Sequence, residues 1–388
     1  VVALKETLWE KDMSMELKGQ QAAAFDAAMR WFKTPARERK QCFVIYGGAG
    51  VGKTTLAKKF KEFARCHFMT LSGKAALVMR KKGCDGATTV HSAIYKLVDD
   101  DGIQPHFELN LDSETLKGVE LIILDELGMI DEEIGQDIMA FGIPVLAMGD
   151  LNQLPPPSDR RPYFDGTKPD YVITEILRQA KDSPIITLAY QALETGKLVP
   201  GSYGDSRVFS SSIKDSKVRE IMLAADQVLC GKNATRVYNS QLMRRWKGLA
   251  GEPIKELPTV GERLVCLRNN HKKGILNGEQ FKLTEILDQD LGKVVAFKAA
   301  SLDSGNDREI ELAVPWNWWQ GTESNLPQWE KANYDQFFFA DVMTVHKYQG
   351  SQADYIAILD ESGAFRENKR KHLYTAITRA AVKVDVLL

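Results

Sequence analysis

Cysteine is scarce in this chain and poorly placed for chemistry. The five residues, Cys42, Cys66, Cys84, Cys230 and Cys266, are odd in number, far apart and never in C-x-x-C spacing. That excludes a zinc site or a disulfide framework and leaves reduced thiols, several of them on strands. Long apolar runs are missing too. No stretch reaches the roughly 20 apolar residues that a spanning helix needs, and the first residues lack the basic, apolar and small-residue order of a secretory leader. A cytoplasmic protein without a membrane partner is expected, and a start at Val1 without methionine is what a trimmed chain gives. Charge of one sign is also lacking: 51 Lys and Arg stand against 52 Asp and Glu. A nucleic-acid partner would therefore be held by local basic stretches, not by a global field.

What is present is the composition of a soluble globular protein, 388 residues with 44% hydrophobic and 27% charged side chains, long enough for about two or three domains. The most informative stretch runs from Cys42 to Thr55, where strand formers break into glycines followed by a lysine and two threonines. Gly47, Gly52, Lys53 and Thr54 fit G-x-x-x-x-G-K-[ST], and Gly48, Ala49, Gly50, Val51 and Thr55 complete a loop whose backbone N–H groups can crowd a phosphate. A helix-compatible run from Leu56 to Ala64 follows, so the loop opens at a helix N-terminus that favours an anion. Lys53 would reach the β- and γ-phosphates of a nucleoside triphosphate, and the Thr54 hydroxyl would hold Mg²⁺. A plain glycine turn would not require Lys-Thr at its end.

Upstream, Leu17, Gln21, Ala24, Phe25, Ala28, Met29 and Phe32 recur near a period of 3.6 and predict a helix over residues 17 to 33. Gln21 reads either as a reader of adenine or as a surface glutamine. Downstream, Ser72 and Thr89 stand at helix starts, as plain N-caps or as donors to the phosphates of a bound strand. Residues 98 to 118 read as a small hairpin carrying Phe107. Leu121 to Glu126 is a buried-type strand ending in Asp125 and Glu126; carboxylates there fall at the ligand edge of a parallel sheet, Asp125 for Mg²⁺ and Glu126 for the attacking water. Gln153 follows another strand and is placed to report on the γ-phosphate. Arg178 could point back at the nucleotide. No second carboxylate cluster stands elsewhere, which argues against a nuclease.

After about residue 183 Gly, Ser and Asp become frequent to about 215, which reads as a domain boundary. A second α/β pattern follows, interrupted over 261 to 300 by alternating strands with hairpin turns at Asn277-Gly278 and near Gly292. The tryptophan-rich residues 315 to 339 read as a packed satellite core, with base stacking as the alternative.

In this order the motifs resemble those of superfamily 1 helicases of the 5′-to-3′ branch, the RecD-like group, with the Dda-like helicases of T-even phages nearest. The resemblance rests on Leu17-x-x-x-Gln21, Gly47 to Thr54, Ser72-Gly-Lys-Ala-Ala76, Thr89-Val-His-Ser92, Asp125-Glu126, Gly149-Asp-Leu-Asn-Gln153, Thr174-Glu-Ile-Leu-Arg178, Thr344-Val-His-Lys-Tyr-Gln-Gly350 and Tyr374-Thr-Ala-Ile-Thr-Arg379. It implies two RecA-like motor domains, 1–182 (with a pin at about 95–118) and 183–257 plus 341–388, with an SH3-like barrel over 258–340 bearing an aromatic-rich extension. It implies ATP between the motor domains, Gln21 on adenine, Arg178 and Arg379 as arginine fingers, and Gln349 and Gly350 near the γ-phosphate. Ser72, Lys74, Thr89, His91, Thr344 and His346 would face single-stranded DNA, and the pin would part the strands. The implied partners are single-stranded DNA and its duplex junctions, and a single-strand-binding or replication protein, met by a monomer in the cytoplasm, that of the host for a phage protein. An RNA helicase, a protein-displacing translocase and a binding module with a decayed ATPase are the competing readings. Gly128 stands where the family's motif carries serine.

Overall fold

The computed structural model describes residues 17–99, 106–155, 162–164, 168–177, 182–212, 214–249, 257–268, 270, 273–275, 277–290, 294–302, 309–322, 326–327, 331 and 333–388. From the N-terminal side, α1 (Gly19–Lys33) leads into β1 (Cys42–Gly47), α2 (Lys53–Lys59), β2 (Cys66–Thr70), α3 (Gly73–Lys81), β3 (Thr88–Thr89) and α4 (Val90–Ile94). The hairpin β4 (Tyr95–Asp99) and β5 (His106–Leu109) stands apart as a two-stranded sheet. Then come β6 (Leu121–Leu124), α5 (Glu132–Ala140), β7 (Val145–Gly149) and β8 (Tyr171–Ile173). Six of these strands form one parallel sheet in the order β3-β2-β6-β7-β1-β8.

The apolar runs that predict a doubly covered sheet have that role. Phe43, Ile45, Leu121, Ile123 and Leu146 pack into one core, while Val44, Tyr46, Ile122, Leu124 and Val145 pack into the other. Successive strand residues thus feed opposite helical layers, and each such side chain fully removed from water contributes about 1.5–3 kcal/mol. The layers hold β1, β6 and β7 in register, so their C-terminal ends share one edge.

The second half begins with α6 (Pro184–Thr195), β9 (Gly201–Tyr203), β10 (Ser206–Phe209), α7 (Asp215–Ala224), β11 (Gln227–Cys230) and α8 (Asn233–Trp246). It resumes at β17 (Val342–Thr344), β18 (Ala353–Leu359), α10 (Lys369–Ile377) and β19 (Ala380–Leu387), after an inserted β region. The second sheet runs β17-β11-β18-β19-β10-β9, parallel except for β9. The Gly-, Ser- and Asp-rich stretch that ends near residue 215 lies within this second half. Its glycines and serines form a short antiparallel hairpin, β9–β10, that extends this sheet, with Ser206 buried and accepting from Val384 N–H at 3.0 Å.

The insertion is an antiparallel sheet, β15-β14-β13-β12-β16, built from β12 (Arg263–Cys266), β13 (Gln280–Asp290), β14 (Val294–Ser301), β15 (Glu309–Pro315) and β16 (Phe337–Phe339), with α9 (Trp316–Gln320) between the last two. Its outer strands approach each other where Asp335 N–H donates to Ala313 O at 3.0 Å. Trp318 and Trp319 are buried with Phe281, Phe297 and Phe337 to Phe339, so these aromatics are core and not a base-stacking platform. Trp329 lies outside the described residues. No described helix is long and apolar enough to cross a membrane, and the described cysteines are free.

Candidate nucleotide site and nucleic-acid face

The loop after β1 has the form its glycines dictate. Gly52 sits at φ +79° immediately before α2, and a Cβ there would come within 2.5 Å of Gln21 Nε2. Lys53 folds back over the loop, donating to Gly47 O at 2.6 Å and Gly48 O at 3.1 Å. The cation is thereby held at the mouth of the loop, where a phosphate would compete for it.

Asp125 and Glu126 leave the end of β6 at the same edge. Asp125 Oδ1 accepts Glu126 N–H at 2.9 Å, and Glu126 occupies the left-handed region at φ +58°. Such strain in a non-glycine residue persists where surrounding contacts over-determine it. Glu126 Oε1 lies 3.7 Å from Arg379 Nη1 of the second half, while its Oε2 is buried without a hydrogen-bond partner among the described residues. Burial pushes this carboxyl above the ordinary glutamate range, aided by Asp125 and opposed by Arg379, Lys53 and Lys82.

A cavity of about 640 Å³ joins these pieces. On one side it is lined by the loop residues Gly48 to Gly50 and Gly52 to Thr55, by Asp125 and Glu126, and by Gln153; on the other by Gly350 and Arg379. Gly350 approaches so closely that a Cβ would meet Ser72 Oγ at 2.7 Å and Glu126 Oε2 at 3.1 Å. Arg379 Nε is fixed by Thr375 O at 3.3 Å. Arg178 lies outside the described residues. Gln21 is buried with its amide on Gly52 O at 2.9 Å, bracing the loop from behind, and Gln349 donates to Leu154 O at 3.0 Å. Neither lines the cavity.

The oxygens available to Mg²⁺ are the Thr54 hydroxyl and Asp125, both on the cavity wall. No group of three His, Cys, Asp or Glu stands ready among the described residues, and Mg²⁺ needs none, since it takes one or two protein oxygens with phosphate and water. The donor set therefore fits the ion. Lys82, from the basic run at the end of α3, also enters the cavity; it donates to Gln352 Oε1 at 3.1 Å, and burial lowers its pKa. The run Arg80-Lys-Lys82 is visible in the sequence, but nothing there directs its last member inward.

The residues expected on a DNA path divide between local and interdomain roles. Ser72 caps α3 by accepting Ala75 N–H at 3.1 Å, and Thr89 caps α4 by accepting Ser92 N–H at 3.1 Å. Thr344 Oγ1 accepts Lys347 N–H at 3.4 Å. Lys74 stands 5.1 Å above the Tyr348 ring, a cation–π contact between the two halves. His91 lies 5.4 Å from Tyr95 and 6.4 Å from Phe107, at the root of the β4–β5 hairpin, whose turn is outside the described residues. His346 packs at 5.6 Å from Phe365 and 6.2 Å from His372.

Residues 16–205 match the model of a family described as an AAA domain, and residues 339–387 that of the UvrD-like helicase C-terminal domain. An uncharacterized protein of Methanocaldococcus jannaschii, MJ1519, is 23% identical over 89% of this chain, which spans only 36% of that relative. Among solved structures, Bacteroides Pif1 bound to single-stranded DNA superposes with a TM-score of 0.55 at 16% identity, covering 97% of this chain and 93% of that one. Pif1 helicases at forked double-stranded DNA give 0.54 at 17% identity over 96% and 92%, and Candida albicans Pif1 gives 0.52 at 16% over 96% and 94%. At these identities the likeness is one of fold, two RecA-like domains facing one another.

Proposed function

We propose that the chain is an ATP- and Mg²⁺-dependent DNA helicase that tracks 5′ to 3′ along a single strand and opens duplex ahead of it. The observation that carries this is the cavity itself, with Lys53, Asp125, Glu126 and Gln153 on one wall and Gly350 and Arg379 on the other. A phosphate site shared by two domains ties hydrolysis to their relative motion. The UvrD-like helicase match of the C-terminal residues supports the class. The Pif1 structures solved with single-stranded DNA, forked DNA and ADP-AlF3 support carrying DNA and nucleotide over to this chain.

In the reaction a water oxygen attacks the γ-phosphorus, the bond to the β–γ bridging oxygen breaks, and ADP and phosphate result. Bound Mg²⁺ would neutralise charge on the β- and γ-oxygens. Glu126, whose burial raises its affinity for a proton, takes the proton from the water. Lys53 exchanges its loop carbonyls for phosphate oxygens, Gln153 orients the water, and Arg379 stabilises the transferring group; an arginine in that role is worth about 10³–10⁵ in rate. Arg178 would be a second finger, and Gln21 and Gln349 would reach adenine and the γ-phosphate only by leaving their present partners. Ser72, Lys74, Thr89, His91, Thr344 and His346 mark the strand's path, with β4–β5 as the separating pin and the inserted sheet as an SH3-like barrel of RecD-like type.

The test is an ATPase and unwinding assay on duplexes with a 5′ or a 3′ tail, in DNA and RNA. Single-stranded DNA should stimulate hydrolysis, and only the 5′-tailed DNA should open. Lys53→Ala and Arg379→Ala should each remove hydrolysis, by about 10³-fold or more for the arginine, while both proteins stay folded by circular dichroism. Turnover that survives both changes sinks the proposal, while activity on RNA, or hydrolysis without unwinding, replaces it by an RNA helicase or a protein-displacing translocase.

A further inference from the structure

One side chain joins the two walls of the cavity more directly than any catalytic group. Tyr374 lies on α10 of the second half and is completely buried, its ring edge-on to Tyr190 of α6 at 6.2 Å. Its hydroxyl crosses to the first half, accepting Ala49 N–H at 2.7 Å and donating to Asp150 Oδ2 at 2.6 Å. A phenol has one proton and two lone pairs, so this arrangement uses the proton and one acceptor site on two first-half partners. Burial, reinforced by Asp150, holds the phenol far above its ordinary range, so it remains a donor.

Both partners belong to the reaction's machinery. Ala49 is in the phosphate loop, and at the neighbouring Gly48 a Cβ would come within 2.5 Å of the Tyr190 hydroxyl and 3.3 Å of the Tyr374 hydroxyl. The two phenols thus sit directly on the glycine surface of the loop. Asp150 begins the turn that presents Gln153. Its Oδ1 accepts Asn152 N–H at 2.9 Å and its carbonyl accepts Gln153 N–H at 3.2 Å. One residue beyond Gln153, Leu154 N–H donates to Thr375 Oγ1 at 2.9 Å and Leu154 O accepts from Gln349 at 3.0 Å. The segment 150–154 is therefore clamped by three side chains of the second half.

We propose that Tyr374 is a positioning residue for hydrolysis. Its hydroxyl ties the phosphate loop at Ala49 to Asp150, and through the turn of Asp150 it sets where Gln153 stands in the cavity. These bonds exist only when the second domain is seated, whereas the loop that binds phosphate belongs to the first. Loss of the hydroxyl therefore spares nucleotide binding and slows turnover. This rests on the ATPase reading above.

Tyr374→Phe keeps the ring packing and removes the hydroxyl. The expected result is a dissociation constant for a fluorescent ATP analogue close to that of the wild type, with kcat of the DNA-stimulated ATPase lowered about 10- to 100-fold, the range for losing a hydrogen bond to a charged group. On an Asp150→Ala background the same change should have little further effect, since its partner is already gone. Unchanged kcat, or an equal loss on both backgrounds, overturns the proposal. Hydrogen exchange supplies a readout independent of turnover: the Ala49 amide should exchange faster in Tyr374→Phe, and unchanged protection there overturns the coupling. Wild-type protein with no ATPase defeats the helicase reading instead, and the exchange measurement still judges Tyr374.

Discussion

Glu126 combines three features seldom found in one residue: a left-handed backbone, a buried oxygen without a partner, and a carboxyl pushed upward by burial. Its ionised form is therefore a net cost to the fold at neutral pH, even beside Arg379. Glu126→Gln should lower hydrolysis by about 10²–10⁴, the usual contribution of a general base, and at the same time raise the melting temperature. The sign follows from linkage. The gain is full above the raised pKa of Glu126 and disappears as pH falls below the ordinary value of 4.5, where the unfolded chain is protonated too. Melting both proteins from pH 8 to pH 4 checks this; a gain that persists at the acid end contradicts it. His372 makes the opposite case. It is buried against Phe365 with both ring nitrogens unpartnered among the described residues, and burial, then His346, push its pKa from 6.5 to about 4. The unfolded chain takes up this proton first, so stability is lost as pH falls from 6.5 toward 4. His372→Leu should flatten that decline by about 2 kcal/mol between pH 7.5 and 5, measured by urea unfolding. Among the residues of the cavity, Lys53, Asp125, Glu126 and Gln153 are legible because phosphate chemistry favours those types beside strand ends, and Arg379 is legible only through the motif resemblance. The bridging role of Tyr374, the first residue of that last motif, is not, because its two partners lie 325 and 224 residues away.

At the scale of elements, the β4–β5 hairpin proposed as the pin is the test case. Phe107 pairs in register with Leu97 across β4 and β5 and faces His91 at the hairpin's root. If an aromatic there stacks on the separating base pair, Phe107→Ala should slow unwinding of a 5′-tailed duplex about fivefold or more, since stacking is worth about 1–3 kcal/mol, while ATPase on single-stranded DNA remains unchanged. Normal unwinding removes Phe107 as the wedge. Parallel strands were legible as unbroken apolar runs, since both faces are covered. β9 and β10 were not, because strands of three and four residues separated by Gly204 and Asp205 carry too few periods to rise above a glycine- and serine-rich loop. The tryptophan-rich segment was ambiguous for another reason: burial and base stacking select the same residue types, and only the packing of Trp318 and Trp319 decides between them.

At the scale of the molecule, the sequence order of sheets and insertion foreshadows the architecture, but the seam between insertion and second domain is visible only in three dimensions. Strand β16 of the inserted sheet and β17 of the second motor sheet are separated by Ala340 and Asp341 alone. Asp341 receives Lys247 at 2.6 Å and Arg263 at 3.0 Å, and Gln227 donates to both Ala340 O and Asp341 O. Arg244 and Glu262 form a buried pair beside this junction. The inserted sheet is thus joined to β17 by a short, pinned junction at Asp341, and the segment 344–350 continues from that strand. On the proposed function, a load taken up by the inserted sheet would cross only these two pinned residues to reach β17, and the turn that follows β17 carries Gly350 to the cavity wall.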